Sequence, residues 1–515
     1  MTKIVLTADR TLMCDYNNIP LGSFFSCIPA DHWACQAVFK IISGNPPHRN
    51  GVAIFAPYAI RKIEAGLILK YGRNNVVVAH PDYLDKFITS DTKAVGLTVM
   101  DPLGLGPVSM SFTYGGMFTS YTKYMFLKLM DNIRSNYKDH NFKLIIGGPG
   151  AWQFEYRPEV AEKYKIDHVV SGEIDHIVGD LFEKMIEGSM PHRIEEKSFA
   201  PLEHIPLIQG AVMEGMVETM RGCGRGCQFC EVTLRKLRYM DHDFIKKEVA
   251  INVKEGKTDI HAHSDDIFVY KLEDYKDMMP NSDAIRDLFK AIMSVPGVTH
   301  TNPTHGTLAA ALADPLLVKD ITKIVRGGPD QWIGVQTGLE TGSTRLVEKI
   351  MPRKLKPYKP EEWREVVLGG LKVFNDNYWY PAMTAITGLP GETPEDVWDT
   401  VTLMDQMEKL PNNHFIVAPL TFVPIGALKN KEFFNLDEMI DEARYNFMYR
   451  CWKHITWEID SNLGATHKAP PAIRAVMNIV ARVGSRFVMK HIEKYGKEKG
   501  FTLRYPESDP IPLRI

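Results

Sequence analysis

Met220-Arg-Gly-Cys-Gly-Arg-Gly-Cys-Gln-Phe-Cys-Glu231 holds three of the chain's seven cysteines, Cys223, Cys227 and Cys230, in a C-x3-C-x2-C spacing with Gly222, Gly224 and Gly226 beside and between them. Glycine reaches positive φ without a Cβ penalty, so the stretch predicts a loop that closes around a bulky inorganic centre. Thiolates are the ligands that iron–sulfur clusters require. Three of them on a four-iron cluster leave one iron open to a small molecule, which suits catalysis better than electron carriage alone. Zinc is the alternative. Its structural sites close with four Cys or His ligands, and His242 or His261 is available as the fourth.

The triplet follows the apolar run Ala211-Val-Met-Glu-Gly-Met-Val-Glu-Thr-Met220, and Phe229 directly precedes Cys230. The loop resembles that of the radical S-adenosylmethionine (SAM) superfamily, which has the same spacing and commonly an aromatic residue before the last cysteine. The resemblance implies a 4Fe-4S cluster on Cys223, Cys227 and Cys230, with the unligated iron chelated by the amino and carboxylate groups of SAM and Phe229 beside the cofactor.

Composition narrows the class. The 515 residues are enough for about two to four domains with sizeable cores. A net charge of −2 gives no electrostatic reason to expect nucleic acid or an anionic membrane as partner. No apolar run has membrane-spanning length, and the opening Met-Thr-Lys-Ile-Val-Leu-Thr-Ala-Asp9 reads as a strand rather than a signal peptide. A cytoplasmic, reducing location is the expectation, where clustered cysteines bind metal rather than form disulfides.

Upstream of the loop, short apolar strands alternate with helical patterns. The strands are Lys3 to Ala8, Gly51 to Ala56, Asn75 to Ala79, Ala94 to Met100, Phe142 to Ile146 and His168 to Val170, with amphipathic segments such as Tyr58 to Tyr71 and Tyr121 to Tyr137 between them. Strands apolar throughout and separated by helices predict a doubly wound parallel sheet. Ligands of such sheets bind at the carboxyl ends of the strands. Three loops there stand out: Asp101-Pro102-Leu103-Gly104 and on to Pro107, Gly147-Gly148-Pro149-Gly150, and Ser171-Gly172-Glu173. Glycines in them serve equally for cradling a ligand or for turning tightly into a helix. Their order resembles the cobalamin-binding domain that precedes the radical SAM domain in one large subgroup, and the likeness covers Met1 to about Met190. It implies that these residues contact cobalamin. The Asp-x-His-x-x-Gly element that supplies a histidine to cobalt in some cobalamin proteins is missing. His80 in Ala79-His-Pro-Asp82 is the nearest lookalike and fits an ordinary strand end, so the cobalt would be base-off above the Asp101 loop. Cys14, Cys27 and Cys35 keep a rival open, because methylthiotransferases carry a second cluster on three N-terminal cysteines; small buried cysteines are also common packing residues.

Downstream, residues 191–210 are polar and proline-punctuated and read as a linker. Residues 211–430 then alternate helix and strand. Helices are expected over Phe244 to Glu255, Asp283 to Ser294 (capped by Ser282), Asp314 to Val325 and Glu361 to Asn375. Strands are expected over Asp259 to His263, Val298 to Asn302, Gln331 to Thr337, Pro381 to Thr387 and His414 to Leu420. With the segment that enters the cysteine loop, the α/β pattern makes six strand–helix units, a partial relative of the (β/α)8 barrel whose chemistry sits at the carboxyl ends of its strands. The motifs fall at those ends. His263-Ser-Asp265-Asp266, Gly338-Leu-Glu340-Thr-Gly-Ser343 and Ile386-Thr387-Gly388-Leu-Pro-Gly-Glu392 resemble the superfamily's second-, fourth- and fifth-strand elements, which implies SAM contacts for His263, Asp265, Glu340, Thr387 and Gly388. Each alone is equally a well-capped turn. Residues 431–515 predict helices, Phe433 to Asp460 and Pro470 to Gly500, whose aromatic stripe is either core packing or a cap over the active site.

Taken together, the resemblance implies a cobalamin-dependent radical SAM C-methyltransferase using a 4Fe-4S cluster, SAM and cobalamin as methylcobalamin. One SAM would methylate the cobalamin, and a second would yield a 5′-deoxyadenosyl radical that abstracts hydrogen from an unactivated sp3 carbon. The closest subgroup by general likeness is the methanogen enzymes that methylate a glutamine carbon in methyl-coenzyme M reductase. That implies a protein or peptide substrate, the alpha subunit of that enzyme among them, and a one-electron reductant as partner. The alternatives are a cobalamin-dependent radical SAM cyclase or rearrangement enzyme acting on a small molecule, a methylthiotransferase, and a non-catalytic iron–sulfur or zinc module.

Overall fold

A computed structural model describes residues 3–14, 16, 22–462 and 471–504. The chain divides into two compact units, Met1–Val217 with Lys246–Thr258, and Glu218–Ile245 with Asp259–Ile515.

In the first unit six parallel strands are ordered Val76–Val78, Ile4–Thr7, Ala94–Thr98, Lys143–Gly147, His168–Ser171, Arg193–Glu195. Ile4–Thr7 and Ala94–Thr98 are buried at every residue. Burial on both faces is what an apolar run without alternation requires. Val5 and Leu97 meet Phe126 and Ile133 of helix Tyr121–Asn136 on one face. On the other, Ile4 and Leu6 meet Ile60 and Leu67 of helix Tyr58–Tyr71 and Phe182 of Val178–Ile186. The winding reverses between Ile4–Thr7 and Ala94–Thr98, and a crevice opens beyond the strand ends at such a reversal.

Two expectations change here. The run expected as strand Gly51 to Ala56 breaks up: Val52–Ala53 pairs back on His48–Arg49, and Phe55–Ala56 pairs with Ala211–Val212. Neither joins the main sheet, because Asn50 and Gly51, both at positive φ, turn the chain into a hairpin. The stretch expected as a linker begins with Arg193–Glu195, the sheet's edge strand. Its single apolar residue, Ile194, suffices because an edge strand has one neighbour and tolerates charge.

The segment Lys246–Thr258 is held to this unit by buried polar contacts. Glu248 accepts from Lys62 Nζ at 2.6 Å, from the Tyr58 hydroxyl at 2.6 Å and from the Ile208 amide at 3.1 Å. Asn252 Oδ1 accepts from the Val212 amide at 2.8 Å.

In the second unit the parallel strands follow in chain order: Asp259–His263, His300–Pro303, Ile333–Glu340, Trp379–Thr387 and Ile416–Thr421. A single parallel bridge between His305 and Gln336 joins the first pair to the last three. Helices Ser282–Met293, Pro315–Ile324, Trp363–Asp376 and Pro394–Glu408 fill the intervals. Along Trp379–Thr387 burial alternates strictly, so Trp379, Met383 and Ala385 face the helices while Tyr380, Ala382, Thr384 and Ile386 line the inner wall. Trp379 stacks on Phe374 with centroids 5.2 Å apart. Asp314 caps its helix as expected, accepting from the Leu317 amide at 2.9 Å. Asn281 rather than Ser282 caps the helix before it, accepting from the Ala284 amide at 3.2 Å.

The expected helix Phe433 to Asp460 is two, Leu436–Met439 and Glu442–Asn462. The longer one packs on the last strand and helix. His454 stacks on Phe415 at 3.9 Å, and Glu458 accepts from the Tyr380 hydroxyl at 3.0 Å and the Phe415 amide at 3.2 Å. Cys451 is buried, its Sγ 3.8 Å from Met404 Sδ. Among the described residues no helix is long and apolar enough to cross a membrane.

Candidate active site

The cysteine loop springs from Met220–Arg221, which pairs antiparallel with Arg238–Tyr239. Gly222 sits at the neck with φ +78°, and a Cβ there would lie 2.7 Å from the Arg235 carbonyl oxygen. Gly224 and Gly226 follow at φ +67° and +74°. Glycine at these positions is therefore a requirement of the turn. The loop is tied down on three sides. The Gly222 amide donates to Asp265 Oδ2 at 2.8 Å, the Gln228 amide to the Ile350 carbonyl at 3.0 Å, and the Ala427 amide to the Gln228 carbonyl at 2.9 Å. The buried Arg225 guanidinium pairs through Nε with Asp266 at 2.6 Å and donates through Nη1 to the Arg353 carbonyl at 3.1 Å.

The three thiols form one electrostatic group. Burial pushes Cys223 up to about 12, against the Arg225 amide that faces its sulfur. Burial likewise lifts Cys227 to about 11, and Cys230 upward against the amides of Val232 and Thr233. Buried thiols of this kind become thiolates when a metal takes the proton's place, and backbone N–H groups aimed at the sulfurs are what a cluster's thiolates accept. The donor set thus fits an iron–sulfur cluster with three protein ligands.

Beside the loop lies a buried acid–base pair. Glu340 sits at φ +62° after a bulge between Gly338 and itself, and accepts from Lys354 Nζ at 2.9 Å and Thr384 Oγ1 at 3.2 Å. A Cβ on Gly338 would fall 1.8 Å from Glu340 Oε1 and 2.1 Å from Lys354 Nζ, so glycine makes room for the pair. Lys354 Nζ stands 6.0 Å from the Phe229 ring centre. Burial works against the Lys354 ammonium, yet Glu340 and the Cys227 and Cys230 sulfurs hold its pKa above the ordinary lysine value. A left-handed glutamate is strained backbone of the sort that collects at functional sites.

Phe229, Asp265 and Glu340 are therefore brought together with the cysteines. His263 is adjacent, its carbonyl accepting from the Thr219 amide at 2.9 Å just before the loop begins. Thr387 and Gly388 stand at the end of the next strand: the Gly388 amide and Thr387 Oγ1 donate to Glu392 at 2.8 and 3.1 Å, and Arg444 donates to the same carboxylate at 2.8 Å. A Cβ on Gly388 would meet the Phe434 ring at 2.2 Å. Lys354, Arg225 and Asp266 were missed from sequence. Lys354 lies in the basic run Arg353-Lys-Leu-Lys356, outside every motif quoted above.

In the first unit, Asp101 Oδ1 accepts from the Gly106 amide at 2.8 Å and Gln153 Nε2 at 2.6 Å, and Gln153 Oε1 accepts from the Leu103 amide at 2.8 Å. A Cβ on Gly148 would lie 2.6 Å from Thr98 Oγ1, and one on Gly150 2.3 Å from the Met100 carbonyl oxygen. The Asp101–Pro102–Leu103–Gly104 and Gly147–Gly148–Pro149–Gly150 loops thus brace each other beside the reversal of the sheet. Met100, Met117 and Phe118 are exposed. At the Ser171–Gly172–Glu173 loop a Cβ on Gly172 would meet the Glu196 carbonyl oxygen at 2.1 Å, and Glu173 accepts from the Ala200 amide at 3.2 Å. His80 is buried, burial lowers it to about 4, and its Nδ1 accepts from the Asp82 amide at 3.0 Å. Cys14 faces Tyr16, Asp9 and Arg10, whereas Cys27 faces Asp101 and Ser109.

The Radical SAM superfamily model matches residues 217–404. Among curated proteins, the tRNA-2-methylthio-N(6)-dimethylallyladenosine synthase of Sulfurihydrogenibium sp. is 24% identical over 327 residues, 62% of this chain and 70% of that one. The ribosomal protein uS12 methylthiotransferase RimO of Thermosipho africanus is 24% identical over 265 residues, 49% of this chain and 55% of that one. Among solved structures, the radical S-adenosylmethionine methyltransferase TsrM of Kitasatospora setae, with tryptophan and a SAM analogue bound, superposes with a TM-score of 0.52 at 14% identity, over 82% of this chain and 75% of that one. That likeness is one of fold. The cysteine loop, the strand ends around it and the matched residues together establish that this chain carries a radical SAM domain.

Proposed function

We propose that the chain is a cobalamin-dependent radical SAM C-methyltransferase that places a methyl group on an unactivated sp3 carbon, with a glutamine residue of a protein such as methyl-coenzyme M reductase as its target. The observation that carries the reading is the set of three buried thiols on one positive-φ loop, beside the Glu340–Lys354 pair and Phe229 at the strand ends. When bound, the cluster would supply an electron for SAM cleavage and the corrin would carry the methyl group. Asp265 holds the neck of the loop, and Arg225 with Asp266 fixes it further along. Cobalamin is supported by the doubly wound first unit, whose Asp101 and Gly147 loops meet at its switch point.

The curated relatives favour a second reading, a methylthiotransferase with a further cluster on Cys14, Cys27 and Cys35. Anaerobic purification with cobalamin supplied, followed by metal analysis and turnover with methyl-labelled SAM and a reductant, decides between them. About four irons per chain, corrin absorbance that survives desalting, 5′-deoxyadenosine and label in a C-methyl product support the first. About eight irons and sulfur insertion would support the second, and SAM cleavage with no label in the product would leave a cyclase or rearrangement enzyme.

A further inference from the structure

His305 and Gln336 face each other across the single bridge that joins the two halves of the inner sheet. The Gly306 amide donates to the Gln336 carbonyl at 3.0 Å and the Gln336 amide to the Thr304 carbonyl at 2.9 Å. Residues in register on neighbouring parallel strands put their side chains on one face, about 4.8 Å apart. That face is the inner wall: Ile333, Val335 and Thr337 are buried toward the helices, while Gly334 and Gln336 are exposed on the other side. Gly306 locks the turn, since a Cβ there would meet the Phe268 ring at 2.9 Å.

The hydrogen-bonding state of both side chains follows. His305 Nδ1 lies 3.0 Å from the Ser264 carbonyl oxygen and 3.0 Å from Thr304 Oγ1. A carbonyl only accepts, so Nδ1 carries the proton and Nε2 presents a lone pair. Burial, and then the neighbouring His263 ring at 6.3 Å, lower the His305 pKa against the opposing pull of Asp265 and Asp266. Among the described residues neither His305 Nε2 nor the Gln336 carboxamide has a protein partner. A Cβ on Gly334 would meet nothing within 4 Å, so there is open room beside Gln336. Two residues further along the strand, Gly338 abuts the Glu340–Lys354 pair.

The unspent groups are thus one acceptor on His305 and one acceptor with its donor on Gln336. The complement is two N–H donors and one C=O on a single small group. We propose that His305 and Gln336 form a substrate-reading site for a primary carboxamide, with one N–H donated to His305 Nε2 and the remaining N–H and C=O paired with the Gln336 amide. A carboxylate offers no N–H, and a hydroxyl or a backbone amide offers one, so the site discriminates against all three. This deepens the methyltransferase reading and rests on it for the chemistry, but not for the binding.

The test uses the full chain loaded anaerobically with its cluster, and two short capped peptides that differ only in a central glutamine or glutamate. Calorimetric titration should show the glutamine peptide binding at least about tenfold more tightly. His305→Leu and Gln336→Leu should each remove most of that preference, while His305→Gln, which restores an acceptor near the position of Nε2, should recover part of it; iron content and circular dichroism confirm that each variant is folded and loaded. Equal binding of the two peptides, no binding of either, or a preference unchanged in folded His305→Leu would overturn the inference. Absence of 5′-deoxyadenosine from the reduced wild-type protein with SAM would instead sink the methyltransferase reading and leave the carboxamide site standing on its binding data.

Discussion

Glu340 and Lys354 are both buried and held 2.9 Å apart, and Thr384 shares the carboxylate. Removing one partner of such a pair leaves a buried charge uncompensated, which typically costs about 3–5 kcal/mol, whereas removing both is often close to neutral. Lys354→Met is therefore expected to lower the urea midpoint of the second unit substantially, and Lys354→Met with Glu340→Gln to recover most of the loss. A midpoint unmoved by Lys354→Met would show the pair to be looser than its geometry. Glu340 was legible as a motif residue because its neighbours, Gly338-Leu and Thr-Gly-Ser343, frame it. Lys354 was not, since it approaches Glu340 only after helix Thr344–Ile350 and the turn that follows have folded back. Arg225 illustrates the same limit: it lies inside the motif, but that its charge would be spent on Asp266 depends on where strand Asp259–His263 ends.

At the scale of elements, the cysteine loop is decided by its glycines. Gly222→Ala adds a Cβ that would sit 2.7 Å from the Arg235 carbonyl oxygen at φ +78°, a strain of about 1–3 kcal/mol at the neck. Reconstituted Gly222→Ala should bind markedly fewer irons per chain. Gly224→Ala carries the positive-φ strain (φ +67°) but no clash, its nearest atom being Leu237 Cδ2 at 3.5 Å, and should lose fewer. Iron and sulfide analysis of the two variants side by side checks this, and equal loading would show that the neck is not the controlling point. Elements with strong periodicity were readable: the fully apolar strands, and the helix expected from Asp314, whose carboxylate caps it. The failures share a cause. Arg193–Glu195 is a strand because an edge was available to it, and Gly51 to Ala56 is not one because a positive-φ turn diverts it. In short segments of this kind tertiary context outweighs local pattern.

At the scale of the whole molecule, the chain is not partitioned where its composition changes. The boundary falls inside helix His242–Lys254, and its later residues return to the first unit through Glu248 and Asn252. A fragment ending at Val217 would leave the buried Lys62 without its carboxylate and the Val212 amide without its acceptor. Such a fragment is expected to lose cooperative urea unfolding by circular dichroism, because removing one partner of a buried ion pair typically costs about 3–5 kcal/mol against a total stability of about 5–15 kcal/mol. A sharply cooperative transition in that fragment would show that Lys246–Thr258 is dispensable to the unit.

By itself the sequence determined the chemistry of the cluster loop, because three cysteines and three glycines within a few residues leave a thiolate-lined turn as their economical structure, and it determined the alternation of strand and helix, because periodicity is local. Only the tertiary structure decided which charges meet beneath that loop, that the Gly172 turn packs against Glu196, that Lys246–Thr258 belongs to the first unit, and that His305 and Gln336 stand side by side. These are matters of contact between residues far apart in the chain, which are set by strand register and by which groups burial forces together rather than by any spacing along the sequence.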